Sequence, residues 1–340
     1  MAVIKAKPEK FIPFTLGLVV RRLIVPQMIT RVADSTFVGA KDDTVSMNVP
    51  GLFTVARKYE FRTRTNPIVL DDIQGGGKID IKLDTHTYSA TSITNEQATL
   101  DEIDWTREVM LPQAEAVAND IENDVVDAFN ALRYRRELPF AHGDDPYLVA
   151  IEAQRIFDGI PGRLVPTDGR FWLCGSNVVA SILAHDRVSR SAQGTAQLAD
   201  NALLRAEVAQ IGGFRVVKSL EVDPNFSCFM SKSALVLGTV APVVPRGVAQ
   251  GQRITQDGFG MLWTFDYDSN FQRDRSVVSM FSGLTPVYDE RVGGTGTDRF
   301  QLKTNYTNVG ADVPKSFRAI KVNFDPAGTG ATEGTVLPTA

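Results

Sequence analysis

The histidines and cysteines are the residues of this chain whose types could support metal binding or nucleophilic chemistry. His86, His142 and His185 are its three histidines, and they show none of the short spacings that metal sites use. Each is predicted to be a surface or strand residue. Cys174 and Cys228 lie in apolar, strand-like contexts, so both are predicted to be buried, reduced thiols. These residues predict neither a metal site nor a nucleophile.

Other patterns that could do chemistry are incomplete. The glycine-rich segments 75–77 and 293–296 could approach a phosphate, but no Lys-Ser or Lys-Thr pair follows either of them. Residues 174–177, Cys-Gly-Ser-Asn, lack the second glycine of a nucleophile elbow. Carboxylates at helical spacing could form a catalytic cluster, but a solvated or interface-facing helix flank is the more common arrangement. They are Glu115, Asp120, Glu122, Asp124 and Asp127. The sequence therefore predicts no catalytic, cofactor-binding or metal site.

Composition narrows the class of protein. The chain has 340 residues, of which 43% are hydrophobic and 22% charged, as in ordinary folded proteins of about two domains. Its formal net charge of -4 argues against dedicated nucleic-acid binding. The apolar stretch 11–29 is interrupted by prolines and arginines, so no segment reaches the ~20 residues that cross a bilayer. We expect a cytoplasmic protein without a membrane partner.

The clearest element is a long helix that begins near residue 99. Residues 99–102, Thr-Leu-Asp-Glu, form a capping box. Apolar residues then recur every three or four positions, and Pro112 is expected to kink the helix or to mark a first turn. The apolar face comprises Met110, Ala114, Val117, Ile121, Val125, Phe129 and Leu132.

Two alternating segments before this helix predict a long β-hairpin. Strands 53–65 and 78–94 flank a tip that ends in three glycines. The first strand carries Lys58, Arg62 and Arg64 on one face, and the return strand carries Asp80 and Asp84. Because an isolated hairpin is marginally stable in water, this one is expected to lie on a neighbouring molecule.

The first fifty residues predict an arm rather than a domain. They carry lysines among prolines and one short amphipathic stretch, 16–32, that includes Arg21 and Arg22. Such a segment has little apolar surface of its own. Its removal is expected to leave the rest of the chain folded.

The segment 144–245 predicts alternating helices and strands. Asp145-Pro146 opens a helix that ends near Gly159, with an apolar face of Leu148, Ile151, Ile156 and Phe157. Further elements are a strand at 170–174, a helix from about Ser176, a helix at 198–209, and strands at 214–218 and 226–230. The segment 263–288 alternates again.

In this order of elements the chain resembles the major capsid proteins of tailed phages, which share the Hong Kong-phage or Johnson fold, and particularly the Salmonella-phage-type coat branch. The resemblance spans about residues 16–288, without room for the additional domain of the best-known Salmonella-phage coat. The segments that carry it are 24–37, 45–50, 84–88 (Asp-Thr-His-Thr-Tyr), 103–129 with 111–114 (Leu-Pro-Gln-Ala), 165–172 (Val-Pro-Thr-Asp-Gly-Arg-Phe-Trp) and 211–214 (Ile-Gly-Gly-Phe).

The resemblance implies an α+β phage major capsid fold with a defined order of parts. They are an N-terminal arm (1–50), an E-loop hairpin (51–98), a spine helix with P-domain (99–143), an α/β A-domain (144–245), P-domain return strands (246–324) and a flexible C-terminal tail (325–340).

The resemblance also implies a structural function without catalysis or cofactor. The subunit would assemble with itself into pentamers and hexamers of an icosahedral head, in the host cytoplasm, and become part of the virion. A scaffolding protein and a portal are the expected partners, and the shell would enclose double-stranded DNA without sequence-specific binding. The expected subunit-interface residues are Arg21, Arg22, Lys58, Arg62, Arg64, Lys78, Lys82, Glu115 and Glu122. Some relatives crosslink subunits between lysine and asparagine, which here would use Lys78 or Lys82 with Asn305 or Asn308.

Three alternatives stay open at this point. An encapsulin-like nanocompartment shell would have the same fold and would enclose a cargo enzyme. A tail-tube or adhesin protein would form tubes or trimers. A hydrolase with a strand-rich binding appendage would form a small oligomer.

Overall fold

The structure is a computed structural model that describes residues 23–32, 44–48, 78–94, 109, 111–160, 165–185, 210–248, 250–256, 259–292, 299–303 and 315–328. Helices and β-sheets together form the described part of the chain, which confirms the predicted α+β class. The capping box at 99–102, the strand at 53–65 and the helix at 198–209 lie outside the described residues.

The helices are α1 (Leu111–Ala131), α2 (Pro146–Asp158) and α3 (Ser176–Ala184), and a single 3-10 turn covers Val25–Met28. The strands are β1 (Thr30–Val32), β2 (Thr44–Asn48), β3 (Lys78–Lys82), β4 (Thr85–Thr94), β5 (Glu137–Ala141), β6 (Arg170–Cys174), β7 (Arg215–Lys218), β8 (Phe226–Ser231), β9 (Leu235–Val240), β10 (Gln250–Gln256), β11 (Phe259–Asp268), β12 (Arg273–Pro286), β13 (Tyr288–Val292), β14 (Arg299–Lys303) and β15 (Ala319–Asp325).

Helix α1 spans about 31 Å over its 21 residues. Val117, Ile121, Val125 and Phe129 recur every four residues and are buried, which confirms the predicted apolar face at these positions. Pro112 is the second residue of the helix, where its missing N–H removes no hydrogen bond. The buried face packs in a core that also contains residues from the N-terminal segment and from both large sheets.

The first large sheet is organised by β12, its longest strand. The strand order is β1-β9-β12-β11-β10, and β4 also pairs with β12 over ten residues. A buried polar network attaches α1 to this sheet. Gln113 on α1 donates to the Ser276 carbonyl at 2.8 Å and accepts from the Ser276 hydroxyl at 3.0 Å, while Trp263 Nε1 donates to that hydroxyl at 2.9 Å. Because each of these groups is satisfied, the network fixes the register of helix and sheet.

The second large sheet has the order β5-β15-β8-β6-β7. One face contributes Leu173, Cys228 and Met230 to the core that contains α1. The other face is covered by α2 and α3, with Trp172 and Phe229 stacked at 4.6 Å in a second core. The sheet is therefore buried on both faces, as in α/β proteins.

Strands β5, β9 and β15 cross the predicted boundary between P-domain and A-domain. The predicted boundaries assign residues 137–141 and 319–325 to the P-domain, but β5 and β15 lie in the second sheet, where β15 pairs with β8. They assign residues 235–240 to the A-domain, but β9 pairs with β12 in the first sheet. Each of these strands pairs with a strand that is distant in sequence, so composition along the chain could not indicate the pairing.

The prediction that residues 1–50 form a separable arm is wrong for residues 23–32. Leu23, Val25 and Ile29 are at most 1% exposed and lie in the core with α1. Strand β1 adds to the first sheet in parallel with β9. This segment belongs to the folded subunit.

The predicted return strand of the hairpin is two strands with different partners. β3 pairs with β2, and β4 pairs with β12. The chain between them passes close to Gly283, where a Cβ atom would clash with the Lys82 carbonyl oxygen. The alternation itself is confirmed, since Ile79, Ile81 and Thr87 are buried.

The bounds of α2 are confirmed, but the predicted apolar face is only partly correct. Asp145 caps its N-terminus by accepting from the Tyr147 amide at 2.9 Å, and Gly159 ends it. Phe157 is buried and Ile156 is partly buried, whereas Leu148 and Ile151 are exposed. The predicted strand at 170–174 and those near 214–218 and 226–230 are confirmed as β6, β7 and β8.

Candidate interaction surfaces

The structure places four of the nine predicted interface residues. Lys78 and Lys82 lie on β3, and Glu115 and Glu122 lie on α1. The other five lie outside the described residues: Arg21, Arg22, Lys58, Arg62 and Arg64. Asn305 and Asn308 also lie outside them. The structure therefore places the predicted interface residues of β3 and α1.

Glu122 is not an interface residue, which corrects the prediction. It is 4% exposed, and its carboxylate accepts from the Ile24 amide at 2.8 Å and from the Ser219 hydroxyl at 3.1 Å. Burial raises the pKa of this carboxyl, although the hydrogen bonds from Ile24, Ser219 and Val25 act in the opposite direction. The side chain joins the N-terminal segment, α1 and the turn after β7 within one subunit, so it is not available to a neighbouring molecule.

Glu115 and Lys82 occupy more accessible positions. Glu115 is half-buried on the first turns of α1, and Lys82 is exposed at the end of β3. Lys78 pairs with Asn48 at the other end of the β2–β3 ladder. These placements are compatible with intersubunit contacts.

An acidic surface runs along α1 and includes a residue from outside the helix. Asp120, Asp124 and Asp127 follow helical spacing, and Asp84 lies in the short connection between β3 and β4. The pKa of Asp124 is raised by partial burial and then by the negative charges of Asp120, Asp127 and Asp84. Thr87 donates to the Asp120 carboxylate at 2.8 Å. The spacing of the three helix residues is visible in the sequence, but the contribution of Asp84 depends on the packing of β4 against α1.

The exposed side of α2 carries large apolar side chains. Tyr147, Leu148 and Ile151 are 40%, 60% and 40% exposed. The ion pair between Arg155 and Glu152, at 2.6 Å, lies beside them. Sequence periodicity could not separate this side from the buried one, because apolar residues occur on both.

The residues that could do chemistry are engaged structurally. The ring of His86 meets Phe281 edge-on at 4.7 Å, and His142 Nδ1 lies 3.1 Å from the Ser181 hydroxyl. Cys174 and Cys228 are buried, as predicted, and burial raises the pKa of the Cys228 thiol to about 12. Burial also raises the pKa of Cys174 well above its ordinary value. Neither thiol is a thiolate at neutral pH, so neither is a nucleophile.

Within the described ranges, His, Cys, Asp and Glu side chains form no group of three that could hold a metal ion. Likewise, none of the helices placed by the structure combines the length and apolar character needed to cross a membrane.

No protein-family model matches this chain, and no curated protein matches it. Solved structures of phage capsids are similar in fold. The capsid of the cyanophage P-SCSP1u matches with a TM-score of 0.52 and 11% identity, over 89% of this chain and 88% of that chain. The mature capsid of bacteriophage PhiM1 matches with a TM-score of 0.51 and 13% identity, over 89% of this chain and 87% of that chain. The capsid of Ralstonia phage GP4 matches with a TM-score of 0.51 and 11% identity, over 87% of this chain and 86% of that chain.

This chain therefore has the fold of phage capsid proteins. The similarity does not separate the Salmonella-phage-type coat branch from other capsid proteins of this fold, so that branch remains a prediction.

Proposed function

We propose that this chain is a major capsid protein, which assembles in many copies into the icosahedral head of a tailed phage and encloses double-stranded DNA. The observation that carries this proposal is the similarity of nearly the whole chain, 87–89% of it, to three phage capsid structures. A fold alone does not assign a function. Here the similar structures are capsids from three different phages, and each match covers most of the chain rather than a single sheet or helix.

The proposal makes the subunit a building block rather than a catalyst. Copies would form pentamers and hexamers by head-to-tail contacts around rotation axes, because such contacts close into rings. A scaffolding protein and a portal belong to the proposal as partners in assembly. The neutral buried thiols and the engaged histidines are compatible with a protein that does no chemistry.

We propose that charge complementarity sets one of the subunit contacts. Lys58, Arg62 and Arg64 give the segment 53–65 a positive face, and the acidic surface of α1 offers exposed Asp120 and Asp127. Glu122 is bound within its own subunit. We therefore assign these aspartates and Asp84, instead of Glu122, as the acidic partners of the positive face. Arg21, Arg22, Lys78, Lys82 and Glu115 remain proposed contact residues.

Electron microscopy of the purified protein tests the proposal directly. The full chain is expressed alone and together with a scaffolding protein, and the particles are imaged in negative stain. Closed shells of uniform size are the expected result. Open tubes, trimers or a small discrete oligomer under both conditions would contradict it. Shells that contain a co-purified enzyme would instead favour a nanocompartment.

A further inference from the structure

A basic surface lies where the chain leaves α1 and meets the start of β15. Its cationic residues come from two segments that backbone hydrogen bonds hold side by side. The Ser316 amide donates to the Arg133 carbonyl at 2.7 Å, the Arg135 amide to the Ser316 carbonyl at 3.2 Å, and the Lys321 amide to the Arg136 carbonyl at 3.2 Å. The basic surface consists of Arg133, Arg135, Arg136, Lys315 and Lys321.

The described residues balance only part of the positive charge of this surface. Arg133, Arg135, Arg136 and Lys315 are exposed, and Lys321 is half-buried. Among the described residues, none of the five forms an ion pair. Glu137 lies opposite Lys321 in the β5–β15 register, where it accepts from the Asn323 amide group at 2.9 Å. The carbonyl end of α1 contributes about half a negative charge. These two groups offset only part of five positive charges.

The chemical character of the surface favours phosphate over a protein partner. Protein interfaces have a centre of aromatic and apolar side chains and few charges. On the described part of the chain, the large exposed hydrophobic residues lie elsewhere, as at Leu148 on α2 and Phe271 in the turn after β11. Arginine presents a planar set of donors that matches phosphate oxygens in pairs. Here the Arg135 guanidinium lies 4.5 Å from the centre of the Phe317 ring, which restricts its orientation.

We propose that the basic surface binds the phosphate backbone of double-stranded DNA. This proposal rests on the proposed function, because DNA is present only if the chain forms a capsid. The site itself is argued from the charges described above. The net charge of -4 does not oppose it, because much of the negative charge lies on other surfaces, such as the acidic surface of α1. Phosphate contacts are independent of base sequence, and the affinity that they provide falls as the salt concentration rises. Each copy would bind weakly, and many copies in one shell would act together.

A charge-matched pair of variants tests this site. The first carries Arg133→Ala, Arg136→Ala and Lys315→Ala, and it keeps Arg135 because that side chain packs on Phe317. The control carries Arg215→Ala, Lys218→Ala and Arg246→Ala, which also removes three exposed cations. Arg215 and Lys218 lie on β7, about 19 Å from β5 at the opposite edge of the second sheet. Circular dichroism melting of both variants checks that the subunit stays folded.

The measurement is the fluorescence anisotropy of a labelled duplex of about 20 base pairs, titrated with the unassembled full chain at several salt concentrations. Wild type and control should bind alike at low salt. The first variant should bind roughly tenfold more weakly, and its slope of log affinity against log salt should fall by about 0.9 for each phosphate that the protein no longer neutralises. Equal binding by the two variants, or no binding by wild type, would overturn the proposal.

Electron microscopy of the same proteins separates the two proposals. If the first variant forms no shells but binds DNA as wild type does, the surface contacts another protein copy and the DNA site is refuted. If wild type forms shells and only DNA binding by the variant is lost, both proposals are supported. If wild type never forms shells but the loss of DNA binding occurs, the proposed function fails and the DNA site stands.

Discussion

The N-terminal segment 23–32 buries most of its apolar side chains, whereas helix α2 leaves several large ones exposed. Val25 and Ile29 in the short segment are fully buried, although the segment contains only one 3-10 turn and a three-residue strand. Helix α2 has a regular capped structure, yet Leu148 remains 60% exposed. Regular secondary structure therefore does not identify what stabilises this subunit. The stabilising elements are identified by the contacts that a segment makes with distant parts of the chain.

Removal of residues 1–32 should destabilise the subunit more than any single substitution. It deletes the buried side chains of Leu23, Val25 and Ile29, removes β1 from the first sheet, and leaves the Glu122 carboxylate without the Ile24 amide. A buried carboxylate that loses a partner is strongly destabilising. We expect loss of the cooperative melting transition and of solubility, measured by circular dichroism and size-exclusion chromatography. A soluble truncated chain that melts like the full chain would show that the segment is an arm after all.

Matched single substitutions compare the two regions directly. Ile29→Ala should lower the free energy of unfolding by about 2–5 kcal/mol, because it leaves a cavity in the core. Leu148→Ala should change it by less than about 0.5 kcal/mol, because that side chain is already in water. Urea denaturation of the unassembled subunit measures both, and Ile24→Ala at a 41% exposed position is a control within the same segment. Similar values for Ile29→Ala and Leu148→Ala would remove the distinction between the two regions.

Glu122→Gln should change the pH dependence of stability more than stability itself. Burial raises the pKa of Glu122 above its ordinary 4.5, so the folded state binds this proton more readily than the unfolded state. Wild type should therefore lose free energy of unfolding as pH rises from about 4.5 through the raised pKa. The glutamine side chain does not titrate in this pH range, so the variant should not lose free energy of unfolding for this reason.

Denaturation of both proteins between about pH 4 and pH 8 tests this expectation. Ser219→Ala is the companion variant. Because its hydroxyl bond lowers the pKa of Glu122, its removal should move the loss of stability to higher pH. Parallel curves for wild type and Glu122→Gln would contradict the account.

Charge reversal in the hairpin should have the smallest effect on the subunit and a large effect on assembly. Arg62→Glu with Arg64→Glu should leave the melting temperature nearly unchanged, since exposed ion pairs contribute only about 0–1 kcal/mol each. At an interface, like charges cost several kcal/mol, so assembly should slow or stop at low salt. Light scattering across a salt series should show the gap to wild type narrowing as salt rises. Equal assembly rates at low salt would mean that this face contacts solvent.

The parts of the fold that the sequence could predict are those with local causes. The spacing of Val117, Ile121, Val125 and Phe129 is sufficient to define the buried face of α1, and Asp145-Pro146 is sufficient to place the start of α2. The partner of the segment 23–32 could not be predicted, because β1 pairs with β9 about two hundred residues later. A short segment without periodicity carries no local signal of such a pairing.

The candidate surfaces were predictable to a similar degree. The acidic character of α1 is visible as spacing, but the sequence could not show that Glu122 points into the core while Asp124 stays half-exposed. The basic surface is visible in the sequence only in part. Arg133, Arg135 and Arg136 follow one another near the end of the helix, whereas Lys315 joins them through the hydrogen bonds of Ser316, which bring the two segments together.

The position of β15 in the second sheet has a consequence for biosynthesis. This strand lies between β5 and β8, so the sheet keeps a gap until residues 319–325 have left the ribosome. By then β5 has been outside the ribosome for nearly 180 residues, or roughly 10 seconds or more of translation. A chain synthesised only as far as β8 therefore lacks the strand that lies between β5 and β8, and it cannot complete the second sheet. Such an incomplete chain would lack a finished subunit surface when it meets a growing particle.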